Sequence, residues 1–274
     1  MNQSLNFGRT QNPYLSGDSF AALADFIFTP QSNFSRVSVK RAKQARSVFV
    51  KSHELEFLDF DLFPSLKVLI AGNSDRNFDV LPPLSKVPQL LLLQNSSIVS
   101  DIVRTLPIGL ENRSLGRFHG KKDFHFDPNR VVIDNRVLVP PMSNTNPIRP
   151  LMIERAMKLE SEFDVRVGYL SESDYLDLVK RYQFLLCLEG NGYENHRIWE
   201  SLYLGIFPVM LETEWSRTLK SLILPILFIK NLEEIDRNLL DEFARRHSGF
   251  NPALSESLWI PYWRNLIQRF AESL

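Results

Sequence analysis

The stretch from Phe184 to Leu211 reads FLLCLEGNGYENHRIWESLYLGIFPVML, and its residue types suit the binding of an anion. An apolar run, Phe184–Leu188, leads into Glu189, Gly190, Asn191 and Gly192, and a helix is expected from Asn195 with His196, Arg197 and Glu200 in its first turns. Two glycines let a backbone approach a ligand closely. A helix start adds unpaired N–H groups and a partial positive charge. Arg197 is then misplaced for helix stability, because cations favour the opposite end. A phosphate lying between the dipole and the guanidinium resolves that conflict; the alternative is a solvated arginine on a surface helix. A second block, PPMSNTNPIR from Pro140 to Arg149, also follows a strand candidate and opens a helix. Ser143, Asn144, Thr145 and Asn146 can donate to oxygens, Pro147 suits a first turn, and Arg149 would point a guanidinium at the same region. Alone, this block also fits a capped helix with an exposed arginine. Two basic helix starts at strand ends of one sheet can converge.

The elements that must position these residues recur as apolar run, turn and amphipathic segment, which predicts an α/β fold with parallel sheets. In the first half, Phe20, Leu23, Ala24 and Ile27 share a helical face, and Ser47–Val50, Leu66–Ala71 and Gln89–Gln94 read as strands, with a helix near His53–Leu62. In the second half, strands are expected at Arg136–Val139, Val165–Val167, Phe184–Leu188, Phe207–Leu211 and Ile226–Ile229. Helices are expected at Arg149–Ser161, Ser173–Arg181, Asn195–Leu204, Trp215–Leu222 and Leu232–Arg246. Ligands then sit beyond the carboxyl ends of the strands. The polar segment Asp123–Arg136 is the best crossing between lobes, giving domains 1–130 and 131–255, with 256–274 a terminal helix packing back on the body through Trp259, Trp263, Leu266, Ile267 and Phe270. Membrane-interface anchoring is the alternative use of that stripe.

Composition sets outer bounds. The 274 residues carry 32 Lys+Arg against 32 Asp+Glu, which argues against a general nucleic-acid binder. With 23% charged residues beside 20 Phe and 4 Trp, a disordered or fibrous chain is excluded. Cys187 is the one cysteine, so no intrachain disulfide forms, and a buried free thiol suits a reducing compartment. Met1–Asn12 lacks the apolar core of a secretory signal, and no apolar run is long enough to span a bilayer, so a soluble cytoplasmic protein is expected. The basic run Lys40, Arg41, Lys43 and Arg46 reads as a solvated helix face, with weak peripheral membrane attraction as the alternative. Asp59-Phe60-Asp61 has the Asp-x-Asp form that can hold a divalent cation, but it lacks a second acidic cluster and reads as structural. His53, His119, His125, His196 and His247 show no zinc-ligand spacing, although His119 and His125 flank a Lys121-Lys122 loop.

The 184–211 block resembles the nucleotide-sugar motif of exostosin-type glycosyltransferases: strand, Gly-Asn-Gly, His-Arg, Trp-Glu, then Gly-x-x-Pro-Val at Gly205–Val209. It is more loosely similar to the donor site of α1,3-fucosyltransferases, which have Glu-Lys where His196-Arg197 stand and a Ser-Asn loop followed by an arginine like Pro140–Arg149. Leu15–Asp25, Ala71–Phe78 and Thr105–Arg117 resemble the same exostosin-like proteins. The resemblance implies a GT-B arrangement of two Rossmann-like lobes around a cleft. It implies an inverting, metal-independent transfer of a sugar from a nucleotide-diphosphate sugar to a hydroxyl of a glycan or glycosylated acceptor, with no other cofactor. Arg197 and Arg149 would then hold the diphosphate; His196 departs from the ribose-contacting glutamate, a role left to Glu189 or Glu200. A base must take the acceptor proton. Asp75 is the first choice for it, then Asp18 and Glu111. The rivals are a nucleotide-sugar-binding protein without catalysis and a metal-dependent glycosyltransferase using Asp59 and Asp61.

Overall fold

A computed structural model describes residues 13–30, 35–112 and 124–273. The chain divides into two units, Met1–Gly120 with Glu256–Leu274 and Lys121–Ser255, each built on a five-stranded parallel sheet.

The first unit carries β1 (Phe26–Ile27), β2 (Ser47–Lys51), β3 (Val68–Gly72), β4 (Leu90–Leu93) and β5 (Val103–Thr105), side by side in chain order. VLIAG in β3 and LLLL in β4 are buried throughout, as befits parallel strands covered on both faces. A sheet wound in one direction by right-handed crossovers keeps its connections on one face. Helix α2 (Arg36–Gln44) and two 3₁₀ turns, Ser52–Phe57 and Phe60–Leu62, accordingly set Ala42, Leu55, Leu58 and Phe60 in one core with Val48, Val50, Leu69 and Leu91. Lys40, Arg41 and Lys43 stand on the exposed side of α2. The C-terminal helix, numbered α8 below, spans Ile260–Glu272 and packs on β3, and its Trp263 meets Phe20 of α1 (Gly17–Ala21) edge-on at 5.4 Å. The Trp263 indole N–H donates to the Ser257 carbonyl at 3.0 Å. Trp263→Ala should therefore destabilise this unit by about 3–5 kcal/mol, read as a lower denaturant midpoint at unchanged slope.

Two expectations fail here for a local reason. The shared face of Phe20, Leu23, Ala24 and Ile27 is not one helix: α1 stops at Ala21, and Ile27 lies in β1, 51% exposed. One Asp25 carboxylate oxygen accepts from the backbone N–H groups of Arg46 and Ser47, both at 2.9 Å, which draws the chain into strand pairing with β2. The helix expected at His53–Leu62 is instead the pair of 3₁₀ turns, parted where Asp59 Oδ1 accepts from the Asp61 N–H.

The second unit carries β6 (Asp134–Val139), β7 (Phe163–Val165), β8 (Tyr182–Leu186), β9 (Phe207–Leu211) and β10 (Leu227–Ile229) in the order β10-β9-β8-β6-β7. Its helices are α3 (Ile148–Met157), α4 (Glu172–Val179), α5 (His196–Tyr203), α6 (Glu214–Thr218) and α7 (Arg237–Arg246). Strand order therefore reverses between β6 and β8, the doubly wound pattern whose switch point is where such sheets bind ligands. Met152 and Ala156 of α3 and Leu240 of α7 share a core with Val137, Val139, Phe184 and Leu186. Capping sets the boundaries: Ser171 starts α4, and Asp236 accepts from the Leu239 N–H to start α7, so the expected helix Leu232–Arg246 becomes a 3₁₀ turn followed by α7.

Residues 124–130 group with this unit. The Arg130 guanidinium ties them to it by donating to the carbonyls of Lys180 (3.0 Å), Tyr182 (2.6 Å) and Gly205 (3.2 Å), while Phe126 fills the space a Cβ on Gly205 would occupy. Among the described residues no helix is long and apolar enough to cross a membrane.

Candidate functional site

The two blocks singled out from sequence follow β6 and β8, the strands on either side of the switch point. Local chemistry shapes each loop. Asn195 caps α5 by accepting from the Arg197 N–H at 3.0 Å, and its amide donates to the Leu188 carbonyl at 2.7 Å. The Gly190 N–H donates to the Gly192 carbonyl at 3.0 Å, closing a tight turn. Asn146 accepts from the Ile148 N–H and donates to the Gly190 carbonyl, both at 3.0 Å, which joins the two loops.

Arg149 completes the junction, in a role the sequence did not reveal. It is only 6% exposed. Its Nε donates to the Glu189 carbonyl (2.7 Å), Nη1 to the Ser143 carbonyl and Thr145 Oγ1 (2.8 Å each), and Nη2 to the Leu188 carbonyl (3.3 Å). Side chains in a helix lean toward its N-terminus, so an arginine in the second position of α3 fills the gap between the loops instead of projecting from it. Arg149 is thus a brace, and the expectation of a guanidinium free to hold phosphate is corrected.

Arg197 is the more available cation. It is half-buried, one Nη donates to the Pro141 carbonyl, and its guanidinium carbon sits 5.9 Å from the Tyr175 ring centre. Burial, and next the like charge of Arg197, disfavour the charged form of Arg149 and lower its pKa. The described hydrogen-bond partners of both guanidiniums are carbonyl and hydroxyl oxygens, so neither arginine is paired directly with a carboxylate, although Glu200 acts beside Arg197 on Tyr175 and Cys187. Two guanidiniums beside a helix start, at the strand ends of the switch point, can attract an anion.

The other predicted donor residues fall into three groups. Ser143, Asn144 and Asn191 are exposed on the loops, His196 is half-buried at the start of α5, and Gly190 and Gly192 are buried in the turn. Glu200 is 1% exposed and accepts from the Tyr175 hydroxyl at 3.3 Å, so it packs beneath the loops rather than offering itself to a ribose. Cys187 lies buried nearby, and burial pushes its thiol up to about 12, which leaves it unreactive at neutral pH. Glu189 is half-buried, and burial raises its carboxyl pKa. A carboxyl whose folded pKa is raised weakens the fold once pH exceeds its unfolded value, and the full cost remains above the folded value. Glu189→Gln should therefore raise the melting temperature at pH 7, with the gain vanishing below about pH 4, where glutamates are protonated in both states.

In the first unit, the three candidate bases occur on segments that one amide connects. The Asp18 N–H donates to Asn112 Oδ1 at 2.9 Å, and Asn112 Nδ2 donates to Asn73 Oδ1 at 2.7 Å, two residues before Asp75. Asp75 is exposed, Asp18 half-buried, and Glu111 has one buried carboxylate oxygen with no hydrogen-bond partner among the described residues. Sequence reasoning missed His53, whose Nδ1 lies 3.1 Å from Ser74 Oγ beside Asp75. No spacing could have signalled this pair, because the two residues follow different strands. Asp59 is engaged as a turn cap, and the described residues hold no cluster of three or more metal-ligating side chains. His119, Lys121 and Lys122 lie outside the described residues.

A second missed feature adjoins the glycine turn. Tyr193 stacks on Trp215 of α6, with ring centres 6.0 Å apart and planes at 23°. Trp215 is 1% exposed, and its indole N–H has no acceptor among the described residues. Such an orphaned donor costs about 1–3 kcal/mol.

No protein-family model matches the chain, and a search of the curated proteins finds no relative.

Proposed function

We propose that the second unit binds the diphosphate of a nucleotide sugar and that the protein transfers the sugar to a hydroxyl of a glycan or glycosylated acceptor. The observation that carries this reading is the pairing of Arg149 and Arg197 at the switch point, with described partners that are carbonyl and hydroxyl oxygens and with Arg197 in the first turn of α5. In the proposed reaction the acceptor oxygen forms a bond to the anomeric carbon as the bond to the diphosphate breaks. The electron pair leaves with the nucleoside diphosphate, and displacement inverts the centre. Arg197 and the dipole of α5 stabilise the departing charge, the part that a metal ion plays elsewhere. The acceptor proton passes to a carboxylate.

A thermal-shift screen of UDP, GDP, CDP and their sugars, with and without Mn²⁺, tests the reading. Ligand at a hundred times its dissociation constant stabilises the folded state by about 2.7 kcal/mol, so the matching nucleotide should raise the melting temperature by several degrees without Mn²⁺. Absence of a shift with every nucleotide would sink it.

A further inference from the structure

We infer that the outer face of α2 docks the first unit on an anionic membrane surface. Between Asp25 and Glu54 the sequence holds six lysines and arginines and no acidic residue, whereas the whole chain carries 32 residues of each sign. Four of the six, Arg36, Lys40, Arg41 and Lys43, belong to α2. Ala42 is the buried edge of that helix, and the four cations fall with Val37 and Gln44 in one exposed arc of about 160° opposite it. In the second unit, α3 and α7 pair surface cations with acids one turn away: Lys158 with Glu154 (2.7 Å), Arg237 with Asp241 (3.0 Å) and Arg246 with Glu242 (2.7 Å). None of the four α2 cations forms a side-chain hydrogen bond or ion pair among the described residues. The nearest acid in sequence, Asp25, is engaged by the backbone N–H groups of Arg46 and Ser47. This arrangement is unfavourable for the helix by itself. Arg36 opposes the dipole in the first turn, and Arg36, Lys40 and Lys43 set like charges four and three residues apart. An anionic partner relieves both conflicts, and four or more Lys and Arg on one helix face are drawn to acidic lipid headgroups. Val37, 70% exposed among the cations, favours a bilayer over a nucleic acid, because an interfacial helix sinks apolar side chains below the headgroups. Single-stranded nucleic acid is held by aromatic platforms, and this face has no aromatic residue.

The face belongs to the first unit and its test involves no nucleotide, so it stands or falls apart from the diphosphate reading. Flotation of the full chain with vesicles provides the test, using phosphatidylcholine alone or in equal parts with phosphatidylglycerol. The parent should float with the mixed vesicles, stay behind with phosphatidylcholine alone, and be released by added salt, since the contact is ionic. Each cation near an anionic surface contributes a factor of about 5 in affinity, so Lys40→Gln with Arg41→Gln should weaken binding about 30-fold. That variant should keep the parent's melting temperature, because neither side chain has a partner to lose. Arg36→Gln with Lys43→Gln lies on the same face, should lose as much, and takes its place should the first pair fold poorly. Lys158→Gln with Arg237→Gln removes the same charge from the second unit and should bind as the parent does. Failure of the parent to bind mixed vesicles overturns the inference, as does an equal loss in that second-unit variant, which would show attraction by overall charge alone. So does binding as tight to phosphatidylcholine alone, or tighter binding to a single-stranded oligonucleotide than to the vesicles, which would make the partner a nucleic acid.

Discussion

Alanine in place of Arg149 should lower the stability of the protein by about 2–4 kcal/mol and abolish nucleoside diphosphate binding at the same time. The guanidinium is buried and donates to four oxygens on two loops, those of Ser143, Thr145, Leu188 and Glu189. A hydrogen bond to a charged group contributes about 1.5–3 kcal/mol, and deletion of one partner leaves the others facing a hole that only water can fill. Arg149→Lys should not rescue the fold, since a single ammonium has three donors on one nitrogen and cannot span a planar fork. Urea denaturation of both variants checks this: the midpoints should fall together. A midpoint equal to the parent's for either variant would remove Arg149 from the role of brace. The brace matters for function because the same bonds fix the spacing between the loops of β6 and β8, where the ligand is proposed to sit.

Alanine in place of Arg197 should do the opposite, with little change in stability and a loss of about 10- to 150-fold in affinity for the nucleoside diphosphate. Arg197 opposes the dipole of α5 from its first turn, an unfavourable place for a cation. Losing it removes a bond to the Pro141 carbonyl and a contact with Tyr175, but it also removes that repulsion and the like-charge interaction with Arg149. The two changes offset one another, and the melting temperature should move by no more than a few degrees. A charge-assisted contact to phosphate, by contrast, is lost outright, at about 1.5–3 kcal/mol. The affinity of the parent should also fall more steeply with added salt than that of the variant, because one ionic contact fewer is being screened. Near-normal binding in Arg197→Ala would count against the diphosphate reading. The two arginines thus separate a side chain that holds the site together from one proposed to touch the ligand.

A good part of this molecule was legible from residue order alone. Unbroken apolar runs such as LLLL at β4 and FPVML at β9 can be satisfied only by strands covered on both faces, and their alternation with helical segments demands parallel sheets. The start of α5 at Asn195 was legible because its capping bond is local, reaching two residues along the chain. What local pattern could not supply was anything that depends on a neighbour far away in sequence. The order β10-β9-β8-β6-β7, which creates the switch point, is decided by which strands pair. The conversion of Arg149 from ligand contact to brace depends on carbonyls 39 and 40 residues later. Likewise, β1 forms because Asp25 reaches the backbone of Arg46 and Ser47, and Tyr193 gains its backing because α6 brings Trp215 against it. Composition and periodicity determine which segments must be buried. The hydrogen-bonding capacity of a buried polar side chain is settled by long-range packing, and that is what decided which of the predicted residues stand ready for a ligand.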